Sequence, residues 1–249
     1  MIDIHAHILP GIDDGAYNMD MALDMADIAV SGGTSIIVAT PHADLDNARA
    51  RFKNYYGRRF IMNLQAFRKA LDEEGIPLTV LSGQEISLKR STLSKINNED
   101  LISLNHSDYY LVEFEFDEDP AVMEVRLMEL LHEGCIPIIA HPERYYAMQD
   151  DPRWLYNWSH AGCLVQINRG SVLGRFGEEC KSVSDYLLEH NLVTCIASDA
   201  HSSRQRSTYM GDVSDYLEDE YSYDFAKRLL YDNPKKIIEN KPIAFKGLK

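Results

Sequence analysis

Seven short runs rich in β-branched residues recur along the chain, and nearly every one ends in polar residues of metal-ligand type. "MIDIH" leads to "AH", "SIIVAT" to "PH", "LTVLSG" to "QE", "YYLVE" to "FE", "IPIIA" to "HPER", "LVQI" to "NRG" and "VTCIA" to "SDAH". Longer amphipathic stretches separate them. In "MALDMADIAVSGG" the residues Met21, Met25 and Ile28 share one helical face and Gly32 and Gly33 supply a stop, and "VMEVRLMELLHEG" ends similarly at Gly134. Strand–helix alternation with polar residues at the strand C-termini predicts a (β/α) barrel, whose chemistry gathers on that face. A doubly wound open sheet is the rival, but it concentrates ligands at one switch point instead of at most strand ends. Seven strands imply an incomplete or distorted barrel.

Length and composition fit one α/β domain over 1–249: 249 residues, 45% hydrophobic, with no linker, internal repeat or low-complexity segment. The acidic "DYLEDEYSYD" near residue 220 reads as a solvated helix face. Met1 leads directly into the first strand and no run approaches the ~18 apolar residues of a membrane span, so the expected compartment is the cytosol, without membrane insertion. A formal net charge of −14 disfavours non-specific nucleic-acid binding. Cys135, Cys163, Cys180 and Cys195 form no C-x-x-C pair, and Cys163 and Cys195 read as buried thiols.

His5 and His7 alternate on a strand and so face one side together. H-x-H alone is weak evidence for a metal. Of nine histidines, however, five (His5, His7, His42, His141 and His201) follow apolar runs, joined by Asp14, Glu85, Glu113 and Asp199. Singly each has a bland reading, as a satisfied core histidine or a cap; together they require a coincidence at six strand ends. Mixed imidazole and carboxylate donors suit Mn²⁺, Fe or Zn²⁺. His106, His132, His160 and His190 lie at loops or helix ends and read as solvated or capping. Cys163 and Arg169 stand in the C-x5-R spacing of thiol phosphatases, but the residues between them are "LVQIN", a strand and not a phosphate-wrapping loop.

"DIHAHILPGIDDGA", "TPH", "GQEI", "LVEF", "AHPERY", "QINRGSVLGRFG" and "SDAHSSRQR" together resemble the polymerase-and-histidinol-phosphatase (PHP) superfamily, and within it the bacterial tyrosine-protein phosphatases of capsular and exopolysaccharide operons. The match runs from residue 1 to about 206. The resemblance implies a distorted TIM-like (β/α)7 barrel with a trinuclear centre, three divalent ions per chain, Mn²⁺ first with Fe, Zn²⁺ or Mg²⁺ as alternatives. The matching ligand positions are His5, His7, Asp14, His42, Glu85, Glu113, His141, Asp199 and His201, with Glu115 a competitor for Glu113. Arg144 and Arg206 match the phosphate-contacting arginines, with Arg204 adjacent. The implied reaction is hydrolysis of phosphotyrosine by metal-activated hydroxide, on the tyrosine-rich tail of a cognate bacterial tyrosine kinase. Rival readings are a small-molecule phosphatase of the same superfamily, such as a histidinol phosphatase, and a non-catalytic metal-stabilised binding module.

Overall fold

The computed structural model describes residues 1–44 and 54–243. Nine strand segments occur in it: β1 (Ile2–Ala6), β2 (Ile36–Ala39), β3 (His42–Ala43), β4 (Thr79–Ser82), β5 (Glu85–Ser87), β6 (Tyr109–Glu113), β7 (Ile136–Ala140), β8 (Leu164–Asn168) and β9 (Cys195–Ala197). All pairings are parallel, in the orders β1-β2-β4 and β3-β5-β6-β7-β8-β9. The two sheets are one wall. β2 continues into β3 across Thr40 and Pro41, and β4 into β5 across Gly83 and Gln84, so nine segments occupy the seven strand positions that the sequence pattern marks. Proline has no N–H to give the ladder, which accounts for one of the breaks. At the other, the Gln84 side chain accepts from Ile102 N at 2.8 Å and donates to the Asn54 carbonyl, tying two neighbouring loops to the break.

The ends of the wall meet at a thin seam. Asp199 N donates to the His5 carbonyl and His7 N to the Ala200 carbonyl, both at 2.9 Å, around a single parallel bridge, Ala6 to Ala200. Below the bridge a buried carboxylate substitutes for ladder: Asp3 accepts from Ser198 N (3.1 Å), Ser198 Oγ (2.5 Å) and His5 N (3.2 Å). The β1–β2 register slips between Asp3 and Ala6. That slip places one extra residue on β1 and turns His5 and His7 toward the barrel mouth above Ile2 and Ile4.

Ile2, Ile4, Val38, Leu111, Ile138, Leu164 and Cys195 pack in one buried cluster drawn from most of the strands. Residues of alternate parity, among them Ile139, Val165 and Ile167, pack instead against helix residues Leu127, Leu130, Trp158 and Leu187. The barrel interior is therefore lined by apolar side chains at its lower end, with the donor-type side chains gathered toward the strand C-termini. Segment 233–241 covers the lower end: Ile237 joins the interior cluster, Asn105 Nδ2 donates to the Ile238 carbonyl (3.0 Å), and Tyr109 OH donates to the Lys241 carbonyl (2.7 Å).

Helix Met19–Ser31 begins two residues before the pattern suggests because Asn18 Oδ1 caps it, accepting from Met21 N at 2.9 Å. Its stripe of Ala22, Met25, Ala26 and Ala29 is buried. Helix Pro120–His132 uses Asp119 as its cap with proline in the first turn. Helix Gly211–Glu220 buries Val213 and Leu217 and leaves Asp215, Glu218, Asp219 and Glu220 exposed. No helix among the described residues is long and apolar enough to cross a membrane.

Candidate metal centre

The loop after β1 brings the first donors into place. Gly15 lies against the His7 backbone so closely that a Cβ there would sit 1.9 Å from the His7 carbonyl oxygen, so only glycine fits. This tight turn separates the two aspartates of "DDG". Asp13 is drawn inward, where its carboxylate accepts from His7 Nδ1 (2.8 Å), Gly15 N (3.0 Å) and His42 N (3.1 Å). Burial opposes charge on Asp13, but the facing His7 outweighs it and holds the carboxyl at about 2. Asp14 is left at the rim, 46% exposed, with Oδ1 at 3.5 Å from both His42 Nε2 and His201 Nε2.

Around that loop the strand ends deliver the remaining donors. Glu85, the first residue of β5, reaches His5 Nε2 (3.3 Å), His141 Nε2 (2.7 Å), His7 Nε2 (3.2 Å) and His42 Nδ1 (2.9 Å). Asp199 Oδ1 lies 3.5 Å from His5 Nε2, His7 Nε2 and His201 Nδ1. Glu113, closing β6, stands 3.1 Å from His42 Nδ1, while Glu115 is exposed and paired with Lys89. His141 and Asp199 each follow a strand with left-handed backbone, φ 35° and 48°. Such a conformation costs a non-glycine residue roughly 1–3 kcal/mol and turns both side chains back over the mouth.

All nine candidate ligands thus come together. One donor atom from each member lies within 4.8 Å of the others in four overlapping groups: His7, Asp14, His42 and His201; His5, His141 and Asp199; His5, His7 and Glu85; and His42, Glu85 and Glu113. Donors sharing an ion at about 2.0–2.2 Å stand roughly 3–3.5 Å apart, the spacing found here. Tautomers add a stronger test of fit. His7 Nδ1 faces the Asp13 carboxylate and His201 Nδ1 the Asp199 carbonyl at 3.0 Å, both acceptors only, so each Nδ1 carries the proton. In the neutral ring each Nε2 then turns a lone pair toward the cluster. His7 Nε2 meets His5 Nε2 at 3.3 Å and two carboxylates within 3.5 Å. Lone pairs converging on buried carboxylates call for cations between them.

A proton competes with a metal ion for the same Nε2 atoms. Burial works against charge on His5, yet Glu85 and Asp199 outweigh it and its pKa rises; His7 and His42 are raised well above the imidazole range despite burial, by Asp13 and Glu85 respectively. Burial likewise opposes charge on Glu85 and Asp199, but His5 dominates and both are held well below the carboxylate range. His201 is pushed down to about 2, by burial and the neighbouring His7.

Two guanidiniums stand at one edge of the cluster. Arg144 Nη1 is 3.4 Å from Asp199 Oδ2, and Arg206 Nη2 contacts the same oxygen. Arg204 is exposed on the loop that Arg206 closes through its carbonyl, which accepts from His201 N (2.9 Å) and Ser202 N (3.1 Å). Arg144 lies over the Phe116 ring (4.6 Å) and beside Phe176 (5.4 Å), with Arg206 5.8 Å from Phe176. Phe176 rests on Gly170, where a Cβ would meet the ring at 2.8 Å.

The model of the family described as "Capsular polysaccharide synthesis, CpsB/CapC" matches residues 1–239. The chain belongs to the CpsB/CapC family. Tyrosine-protein phosphatase YwqE of Bacillus subtilis is 36% identical over 250 residues, covering 98% of this chain and 93% of the relative. A solved chain from the crystal structures of YwqE from Bacillus subtilis and CpsB from Streptococcus pneumoniae, described as unique metal-dependent tyrosine phosphatases, aligns with a TM-score of 0.92 at 36% identity, over 100% of this chain and 98% of the other. Histidinol phosphate phosphatase of Lactococcus lactis shares the fold alone, with a TM-score of 0.58 at 11% identity over 91% of this chain and 94% of the other. The resemblance to the capsular tyrosine-protein phosphatases and the barrel expected from the alternation are both borne out.

Family membership also disposes of the C-x5-R spacing. Cys163 and Arg169 flank β8, whose extended backbone separates them by about 20 Å at ~3.3 Å per residue. Cys163 is buried, with its thiol pushed up to about 12 by that burial, and Arg169 forks onto Asp212 through two 2.7 Å hydrogen bonds. Sequence reasoning missed Asp13, the β8 amides Gln166 and Asn168, and the Phe176 platform. The tandem acid of "DDG" was the one available signal, since a tight turn sends its two side chains different ways. Among the other histidines, His160 and His190 bond the carbonyls of Tyr156 and Tyr186 one turn back, and His106 packs edge-on to Tyr56.

Proposed function

We propose that this chain is a metal-dependent protein tyrosine phosphatase that acts on the phosphorylated, tyrosine-rich tail of a bacterial tyrosine kinase governing capsular or exopolysaccharide synthesis. The observation that carries the reading is the convergence of imidazole lone pairs of fixed tautomer on shared carboxylates at the barrel mouth. His5, His7, Asp14, His42, Glu85, Glu113, His141, Asp199 and His201 would hold three divalent ions per chain; the donor set suits Mn²⁺, Fe or Zn²⁺, and the family resemblance puts Mn²⁺ first. Such ions supply Lewis-acid stabilisation of phosphoryl oxygens and lower the pKa of an attacking water.

The chain's own residues do the rest. Arg144 and Arg206, converging on one carboxylate oxygen, set two planar forks at the edge where a phosphate dianion docks, and Arg206 Nε is buried with no acceptor among the described residues. Phe176 and Phe116 hold the Arg144 plane, and Phe116 leaves 38% of its surface open beside it, an apolar contact for an aryl leaving group. A phenol leaves with a pKa of about 10, so the reaction makes a smaller demand on a general acid than an alkyl ester does. The proposed compartment is the cytosol, and four unpaired cysteines support it. Turnover of a phosphotyrosyl peptide should exceed that of histidinol phosphate by orders of magnitude; preference for histidinol phosphate would replace the reading with the small-molecule one.

A further inference from the structure

Strand β8 offers no ligand of the expected kinds, yet its two amides are fully buried beside the centre. Gln166 and Asn168, two residues apart and so on one face of the strand, lie between His5 and Asp199. His5 Nδ1 is 2.9 Å from Gln166 Oε1; Gln166 Nε2 donates to Asn168 Oδ1 at 2.9 Å; Asn168 Nδ2 donates to Asp199 Oδ2 at 2.6 Å. The chain of bonds has a direction, and one end sets it. Asp199 faces two guanidiniums and its carboxylate only accepts, so Asn168 must present its NH₂ group to it. The Asn168 carbonyl then faces Gln166, which must donate in turn and is left with its carbonyl toward His5. Against a carbonyl, His5 Nδ1 must carry its proton.

We propose that Gln166 and Asn168 form a one-way hydrogen-bond relay through which the Asp199 carboxylate locks His5 in its Nδ1–H tautomer, leaving the Nε2 lone pair for a metal ion. Both are positioning residues, and the proposal rests on the metal-centre reading above. It adds that two ligands on strands at the seam, β1 and the end of β9, are coupled through β8 as well as through the ion they would share. The relay explains why an apolar strand spends two buried amides there: each amide has one donor and one acceptor matched in sequence, so a flip of either leaves a donor facing a donor or an acceptor facing an acceptor, a costly arrangement in a site closed to water.

The test uses the full chain loaded with Zn²⁺, a diamagnetic probe. With ¹⁵N-labelled histidine, the His5 resonances, assigned by their loss in His5→Gln, should show a protonated Nδ1 and a metal-bound Nε2. Zn²⁺ affinity, measured by competition with a chromogenic chelator, should fall 10–100-fold in Gln166→Met, which fills the space but offers His5 no acceptor. Gln166→Glu, which keeps an oxygen facing Nδ1, should recover part of that loss. A protonated Nε2 on His5 in the wild-type protein would overturn the relay, as would a folded Gln166→Met with wild-type affinity. If Gln166→Met fails to fold, the wild-type spectrum and Gln166→Glu still decide. A wild-type chain that takes up no Zn²⁺ at the cluster would instead remove the metal reading on which the relay stands.

Discussion

Strands β1 and β8 are both five residues long and buried at every position, and both serve the same centre, but only one of them announces it. In β1, "IDIHA" sets an imidazole among isoleucines, a placement that a core tolerates only when the ring is fully satisfied. In β8, "LVQIN" carries an amide that any interior could absorb. The difference is one of chemistry. Side chains able to bind a metal are few in kind, so their recurrence at strand ends is legible; side chains that orient those ligands are ordinary polar residues, identified only by the atom they face.

The contrast can be broken by substitution. The largest effect belongs to the ligand strand and its partner across the seam: His5→Ala or Asp199→Ala should drop turnover on a phosphotyrosyl peptide to background while circular dichroism shows a folded barrel, because both residues stand above the apolar interior. Near-normal turnover in either variant would remove that residue from the ligand set. Next come the arginines. Arg144→Ala and Arg206→Ala should each lower kcat/KM by about 2–4 kcal/mol in transition-state stabilisation with metal content unchanged by elemental analysis, and lysine should rescue only partly, since it lacks the planar fork. Loss of metal together with activity would move the arginine into support of Asp199, which both already touch.

A smaller effect sharpens the comparison at Asp13, which does for His7 what the β8 amides do for His5. Asp13→Ala should weaken metal affinity about 10–100-fold, and Asp13→Asn, which keeps an accepting oxygen, should lose less. Equal affinity in all three proteins, read by chelator competition, would mean that the carboxylate shapes the loop through Gly15 N and His42 N without tuning the ligand.

Much of this molecule was legible beforehand. The seven strand positions followed from β-branched runs, and all nine ligand candidates meet at the mouth, because strand C-termini of a parallel barrel converge by geometry. The interruption of two strands at Thr40–Pro41 and Gly83–Gln84 was not legible: each run continues as ligand-bearing residues, and only pairing partners reveal that the ladder stops and restarts. Glu113 and Glu115 looked equivalent until β6 was seen to end at the first of them. Residues 233–241 carry no motif because their work is shape. Ile237 and the Lys241 carbonyl cover the lower end of the barrel by packing and a backbone acceptor, which leave no signature in residue type.

One paired measurement bears most directly on the central claim that the clustered histidines and carboxylates are a metal centre for phosphotyrosine hydrolysis: divalent metal per chain by elemental analysis, and turnover of a phosphotyrosyl peptide, on the same sample before chelation, after chelation and after Mn²⁺ is returned. The account predicts up to three ions per chain, activity that falls to background with their removal, and recovery on re-addition. Full activity in protein shown to be metal-free would contradict it.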